Sequence, residues 1–225
     1  RIRFASSAGI IVVTPDGKTL LVRRKPFVEV FELETRAPKS APLNLREAST
    51  GWAFTPDSQR LIVSGVRMAQ VFDLATGRLA FPPLMHDGPV YEPQVSEDGR
   101  RLLTSSSDGF ARLWDLQTGR LLAEPTLQTA QYSPAALSAD GSQVLLFTRA
   151  GPVLRLQVGA PPATAFRVPS PHAFSRATFV PDAPHTVLHL SNDRAVAFDA
   201  VSGGERAGGF SYPRPLVPNL VRTLF

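Results

Sequence analysis

At 225 residues, 43% hydrophobic and 19% charged, the chain has the length and composition to bury the core of one large all-β domain or two small ones, and it is not a disordered composition. No run of eighteen apolar residues occurs, which excludes a membrane-spanning helix of ordinary length. The absence of cysteine excludes disulfides and thiolate metal sites and fits a reducing, cytoplasmic compartment, while a formal charge of +5 leans only weakly towards acidic partners.

Taken from the start, Arg1-Ile2-Arg3-Phe4 opens no signal-peptide pattern and reads as the tail of a preceding structural unit. Then comes a short apolar run, Ile10–Val13, a turn at Thr14-Pro15-Asp16-Gly17, and a second apolar run at Thr19–Val22. Proline presets φ at the second turn position and glycine supplies positive φ, so the two runs read as a hairpin. A third run, Val28–Glu32, alternates like a strand. The whole unit then repeats. The turn aspartates, or their equivalents, fall at Asp16, Asp57, Asp98, Asp140 and Asp182, in steps of 41, 41, 42 and 42. An aromatic or leucine marker on the third run falls at Phe31, Phe72, Trp114, Leu156 and Phe198, in steps of 41, 42, 42 and 42. Two markers in phase across five copies decide the architecture before any motif does.

Each copy has room for four short strands. The first are expected at Ile10–Val13, Gly51–Phe54, Val90–Val95, Ala135–Leu137 and Ala177–Val180, and the second at Thr19–Val22, Arg60–Val63, Arg101–Thr104, Gln143–Phe147 and His185–Leu190. After the marker strand a polar turn such as Ala75-Thr76-Gly77 or Gln117-Thr118-Gly119 leads to a fourth run, Arg78–Phe81 or Arg120–Ala123. Prolines gather beyond it, at Pro82-Pro83, Pro125 and Pro161-Pro162, where a strand edge or connection tolerates a missing N–H.

A period near 41 with four strands and a Trp114-Asp115 pair resembles the WD40-repeat family, over roughly residues 8–210. Residues 85–120 fit best, and phrases such as Gly77-Arg78-Leu79, Pro82-Pro83-Leu84-Met85-His86 and Gly99-Arg100-Arg101-Leu102-Leu103-Thr104 look like the bacterial branch, where such propellers often follow Ser/Thr kinases or other signalling modules. The resemblance implies an all-β propeller of four-stranded antiparallel blades. Repeats lie at about 8–48, 49–89, 90–131, 132–173 and 174–212, and 213–225 forms a tail or the start of an incomplete blade. Five recognisable blades in one domain read as a portion of a longer, seven-bladed propeller, with a closed five-bladed ring as the alternative.

In such repeats a His, a hydroxyl, an Asp and the Trp form one buried hydrogen-bonded chain. By position these are His86, Thr104 (or Ser106, on the same face), Asp108 and Trp114. Trp has only an N–H to give and requires an acceptor when buried. A catalytic His-Asp-Ser set is the competing reading, but no nucleophile elbow or oxyanion motif accompanies it. The other copies carry Leu21, Ile62, Leu146 and Leu188 opposite Thr104; Lys25, Val66, Ala150 and Asn192 opposite Asp108; and Leu45, Gln128 and Ser170 opposite His86. Wholesale replacement of a polar network is tolerable where loss of one member is not.

His185 and His189 share a strand face but sit about 13 Å apart along it, too far for one metal. No phosphate-cradling loop, dinucleotide fingerprint or zinc pattern is present, so neither a cofactor nor a metal is expected. The turns between second and third strands carry Arg24 and Lys25, Arg67, Arg149 and Arg194, with Phe27, Met68, Tyr91 and Phe110 nearby. If these turns lie on one face around the propeller's central channel, as the resemblance implies, that face binds an acidic or phosphorylated protein partner. Nucleic acid is the less favoured ligand, and an enzyme or small-molecule site in the channel is the alternative function.

Overall fold

The alternation and turn signals become five antiparallel sheets in the computed structural model, which describes residues 11–24, 26–46, 49–123, 135–147, 152–158, 163–167, 176–180, 183–190, 194–199, 201–202 and 204–211. No helix occurs among the described residues. The chain groups into two compact units, Arg1–Thr126 and Leu127–Phe225.

The first unit holds three sheets. Sheet 1 runs β1 (Ile11–Val13), β2 (Thr19–Arg24), β3 (Phe27–Glu32) and β4 (Leu43–Asn44) in that order. Sheet 2 runs β5 (Gly51–Phe54), β6 (Arg60–Ser64), β7 (Met68–Asp73) and β8 (Arg78–Leu79), and β9 (Leu84–Met85) also pairs with β7. Sheet 3 follows with β10 (Gln94–Val95), β11 (Arg101–Ser105), β12 (Ala111–Asp115) and β13 (Leu121–Ala123). The second unit holds sheet 4, of β14 (Ala135–Leu137), β15 (Gln143–Phe147), β16 (Pro152–Gln157) and β17 (Ala163–Arg167). Its other sheet comprises β18 (Arg176–Val180), β19 (Ala183–Leu190), β20 (Arg194–Asp199) and β21 (Glu205–Ser211). Within each unit the first strands of successive sheets approach one another, β5 with β10 and β14 with β18. Sequential four-stranded meanders with this stacking are consistent with propeller-like blades.

Two expectations shift. Pro82-Pro83 do not follow the fourth strand; they interrupt it, while Pro125 and Pro161-Pro162 lie outside the described residues. In sheet 2, β8 ends before Pro82-Pro83, and the edge resumes as β9 opposite Met68 and Ala69. Sheet 1 repeats the pattern: Phe31 bridges Pro38, and β4 resumes opposite Phe27 and Val28. Proline cannot donate to a ladder, so the edge is where the break costs least. The first strand of sheet 3 shortens to Gln94–Val95, because Pro93 lacks the donor that would extend it.

Both faces of sheet 2 are covered, and alternation there separates two neighbours instead of core from water. On sheet 2, Leu61, Val63, Phe72 and Leu74 pack with Leu21, Val28, Val30, Leu43 and Leu45 of sheet 1. The opposite face, Ile62, Ala69 and Val71 with Leu84, packs on Leu102, Trp114 and Leu116 of sheet 3. Strands such as Arg60–Ser64 are buried at four successive positions for this reason.

The turn chemistry is regular. Thr14, Ser96 and Ser138 are buried, and their hydroxyls donate to Asp16, Asp98 and Asp140 at 2.5, 2.6 and 2.6 Å. The same hydroxyls accept the N–H of the residue five places on, as Thr55 does from Arg60. At the end of the marker strand Asp73, Asp115 and Asp199 accept the next turn's N–H groups, with Thr76 N to Asp73 at 2.8 Å and Thr118 N to Asp115 at 2.8 Å. All three carboxyls stay below the usual range: at Asp73 burial is the largest single effect and opposes this, but the turn's hydrogen bonds together outweigh it, and at Asp115 and Asp199 the hydrogen bonds lead and burial opposes them less. The turn glycines Gly77 and Gly119 have φ of 71° and 72° and no room for a side chain: a Cβ would sit 2.5 Å from the Ala41 carbonyl oxygen or 2.6 Å from the Phe81 ring. Adjacent sheets thus interlock through glycine.

Candidate functional site

The connection from sheet 2 to sheet 3 descends from β9 through His86, Asp87 and Gly88 and passes under the β11–β12 turn. Gly88 makes this possible, since a Cβ there would meet Ser107 Oγ at 2.5 Å. His86 is thereby pressed between the sheets with its side chain fully occluded. Register aligns the rest: Leu102 faces Trp114 and Thr104 faces Arg112 across the β11–β12 pair, so Thr104, Arg112 and Trp114 share one face.

The structure brings His86, Thr104, Asp108 and Trp114 together. Thr104 Oγ1 accepts Trp114 Nε1–H at 2.8 Å and lies 2.9 Å from His86 Nε2. Thr104 is the hydroxyl of the set; Ser106 instead donates to the Gly88 carbonyl at 3.0 Å. A fifth member, Arg112, is absent from the set inferred from the sequence. Its side chain is 11% exposed, and Nη1 lies 2.7 Å from Asp108 Oδ2 and 2.5 Å from His86 Nδ1. The direct His86–Asp108 approach is longer, at 3.3 Å. The shorter contacts decide the order of the chain: Asp108 holds Arg112, and Arg112 donates to the imidazole. Nδ1 then accepts, Nε2–H donates to Thr104, and the threonine hydrogen turns to the Arg112 carbonyl at 3.4 Å. The imidazole edge also meets the Trp114 ring, with centroids 6.2 Å apart.

Electrostatics follow from the packing. Burial, reinforced by the Arg112 cation and opposed by Asp108, lowers His86 from 6.5 to about 4, so it is neutral at pH 7. Burial pushes the Asp108 carboxyl up, but hydrogen bonds from Arg112 and from the Asp87 and Phe110 N–H groups outweigh it and bring the group to about 2. Arg112 and Asp108 are therefore a buried ion pair, and the arginine's other face lies 5.1 Å over the Phe110 ring. With Thr104 and the His86 side chain fully buried, the hydroxyl and imidazole have no access for a substrate. The set clamps two sheets.

The register corrects three of the residues assigned opposite Thr104. Leu20, Leu61, Val144 and Val187 face Phe31, Phe72, Leu156 and Phe198 as Leu102 faces Trp114. Two residues on, the counterparts of Thr104 are Val22, Val63, Leu146 and His189, replacing Leu21, Ile62 and Leu188. Asp108 has no counterpart in sheet 2, because the β6–β7 turn closes from Gly65 to Met68 with one residue fewer than the Ser106–Phe110 turn. Gln70 stands where sheet 3 has Arg112, and its buried Oε1 accepts the Arg46 N–H at 3.0 Å, much as Asp108 accepts the Asp87 N–H at 3.0 Å.

The basic turns are less free than expected. Arg24 pairs with Glu29 at 3.4 Å, and Arg67 with Asp87 at 3.6 Å on a widely exposed surface. Lys25 and Arg149 lie outside the described residues, and Arg194 is described only as the first residue of β20. Phe27 is 43% exposed, while Met68, Tyr91 and Phe110 are half-buried. Two apolar neighbours were not foreseen: Val66 at 43% and Met85 at 57% exposure, the latter opposite Met68 in register. Among the described residues no three His, Asp or Glu side chains gather as a metal site, and no helix is long and apolar enough to cross a membrane. No protein-family model matches the chain, and no curated protein matches it.

Proposed function

We propose that the chain is a non-catalytic, WD40-like protein-interaction module, a scaffold or targeting part of a larger bacterial signalling or regulatory protein, which binds its partner through the sheet ends that carry the β2–β3, β6–β7 and β11–β12 turns. The observation that carries this reading is the exposure of Phe27, Val66 and Met85 at the end of sheets 1 and 2 that also bears Arg24 and Arg67. Aromatic, methionine and arginine side chains grouped on a rigid surface are the composition of interface cores. The ion pairs at Arg24 and Arg67 are exposed and weak, so a partner's acidic groups can displace them at little cost.

The test is capture of a defined protein from host lysate by the immobilised chain, quantified for wild type, for Arg24→Glu with Arg67→Glu, and for Phe27→Ser with Met85→Ser. Capture should fall at least tenfold in both variants while their melting temperatures stay unchanged. Equal capture by all three proteins sinks the proposal.

A further inference from the structure

Five Asp-Gly pairs occur in the sequence, beginning at Asp16, Asp87, Asp98, Asp108 and Asp140. Such a pair is where a chain can attack its own side chain, because glycine lacks the Cβ that would hinder the approach. Four of the pairs are closed to that reaction by their turns. The N–H groups of Gly17, Gly99, Gly109 and Gly141 donate to the carbonyl three residues back, at 2.9, 2.9, 3.3 and 2.8 Å. Their aspartates are tied as well, each carboxylate accepting the N–H two residues on at 3.0 Å. All four glycines are also held at positive φ.

Asp87-Gly88 is the exception. It lies outside any hairpin turn, in the connection that leads from β9 to sheet 3. Among the described residues the Gly88 N–H has no acceptor, and the Asp87 carboxylate receives no backbone N–H. The Asp87 side chain is 87% exposed, and its ion pair with Arg67, at 3.6 Å, is too long for a hydrogen bond. The dipeptide is tethered only at its ends, where the Asp87 N–H donates to Asp108 and the Gly88 carbonyl accepts from Ser106. Neither tether engages the two groups that would react.

We propose that Asp87-Gly88 is a self-modification site, at which the folded chain converts aspartate to isoaspartate and thereby loosens the clamp between sheets 2 and 3. The Gly88 nitrogen attacks Cγ of the protonated Asp87 carboxyl. The N–Cγ bond forms, the Cγ–OH bond breaks, and the hydroxyl leaves as water with the amide proton. Water then opens the cyclic imide at either carbonyl. Attack at Cγ restores aspartate; attack at the former backbone carbonyl leaves the chain running through Cβ and Cγ, with the carboxylate on Cα. Water is the one co-reactant. The product carries one more backbone carbon, about 1.5 Å of added length. The connection has no slack for it, since Gly88 passes beneath Ser107 where even a Cβ would meet Oγ at 2.5 Å. The extra carbon falls between the tethers to Asp108 and Ser106, so the seat of His86 moves with them.

The folded chain is incubated at neutral pH and body temperature for weeks, digested with trypsin, and read by electron-transfer fragmentation, which distinguishes isoaspartate from aspartate at equal mass. The peptide of residues 79–100 carries both Asp87-Gly88 and Asp98-Gly99, so the site and its control share one spectrum. Isoaspartate should accumulate about tenfold faster at Asp87 than at Asp98, and the two rates should converge in denaturant, where no turn protects either. Asp87→Asn, which reaches the same imide by loss of ammonia, should raise the rate further, and Asp87→Glu should abolish it. The isoaspartyl form, separated by chromatography, should melt below the unmodified chain. Equal rates at Asp87 and Asp98 in the folded chain overturn the proposal, as does an isoaspartyl form that melts with its parent. The wild-type comparison requires no variant, so it carries the test alone if a variant fails to fold.

Discussion

The junction of sheets 2 and 3 and the junction of sheets 1 and 2 solve one mechanical problem with different chemistry. In the first, a polar chain of Trp114, Thr104, His86, Arg112 and Asp108 crosses between the sheets. In the second, Leu45 replaces the histidine, Val63 the threonine and Phe72 the tryptophan, while Gln70 alone retains a polar tie to the connection. The difference teaches that the fold requires a filled junction and a capped Arg46 or Asp87 N–H, and that the remaining polar groups are a local solution.

The largest test breaks the polar junction at its charge. Asp108→Ala removes the buried carboxylate that pairs with Arg112, and should cost about 3–5 kcal/mol in denaturant unfolding. Adding Arg112→Leu should restore part of that loss, a coupling of at least about 1 kcal/mol; strict additivity of the two losses would show that the pair is not a unit. Acid is the next probe. Folded His86 titrates near 4 and the unfolded imidazole near 6.5, so between these values only the unfolded chain takes up the proton. Stability should fall by about 3 kcal/mol as pH drops through that window, and Asp108 should add a further loss below 3.8 towards about 2. His86→Asn should flatten the 6.5-to-4 segment of the profile, and an unchanged slope would place the proton elsewhere.

The apolar junction should respond weakly to the matching change. Gln70→Leu removes the cap on Arg46 together with an unmatched amide, and a shift within about 1 kcal/mol is expected in the same unfolding experiment. The smallest effect concerns a turn. Arg36 occupies, at φ 61°, the place that Gly77 and Gly119 fill in the next two repeats. Arg36→Gly should gain about 0.5–1 kcal/mol through relief of the left-handed conformation, read as a rise in melting temperature.

Much of the candidate site was legible. His86 and Trp114 stand out because histidine and tryptophan are rare in this chain, and Trp demands an acceptor; Asp108 stands out by its place in the turn of the repeat. Arg112 was not legible, because charge in an alternating strand ordinarily marks the wet face; it becomes a core residue only where a second sheet covers that face. Ser58 is another such case. It takes the positive φ that glycine holds at Gly17, Gly99 and Gly141, and its hydroxyl accepts the Asp16 N–H of the neighbouring sheet at 3.1 Å. The glycine pattern alone makes it look like decay of the repeat.

Local chemistry, written in the sequence, determined the period, the four-strand unit and the turns, because proline, glycine and Ser/Thr-x-Asp act over a few residues. Pairing register decided which side chain faces Thr104, since a shift of one residue moves every side chain to the other face. Packing between sheets decided the rest: the burial of Arg112 and the ion pairs that occupy Arg24 and Arg67. Those depend on which surfaces meet, and no window of the chain contains both sides of a junction.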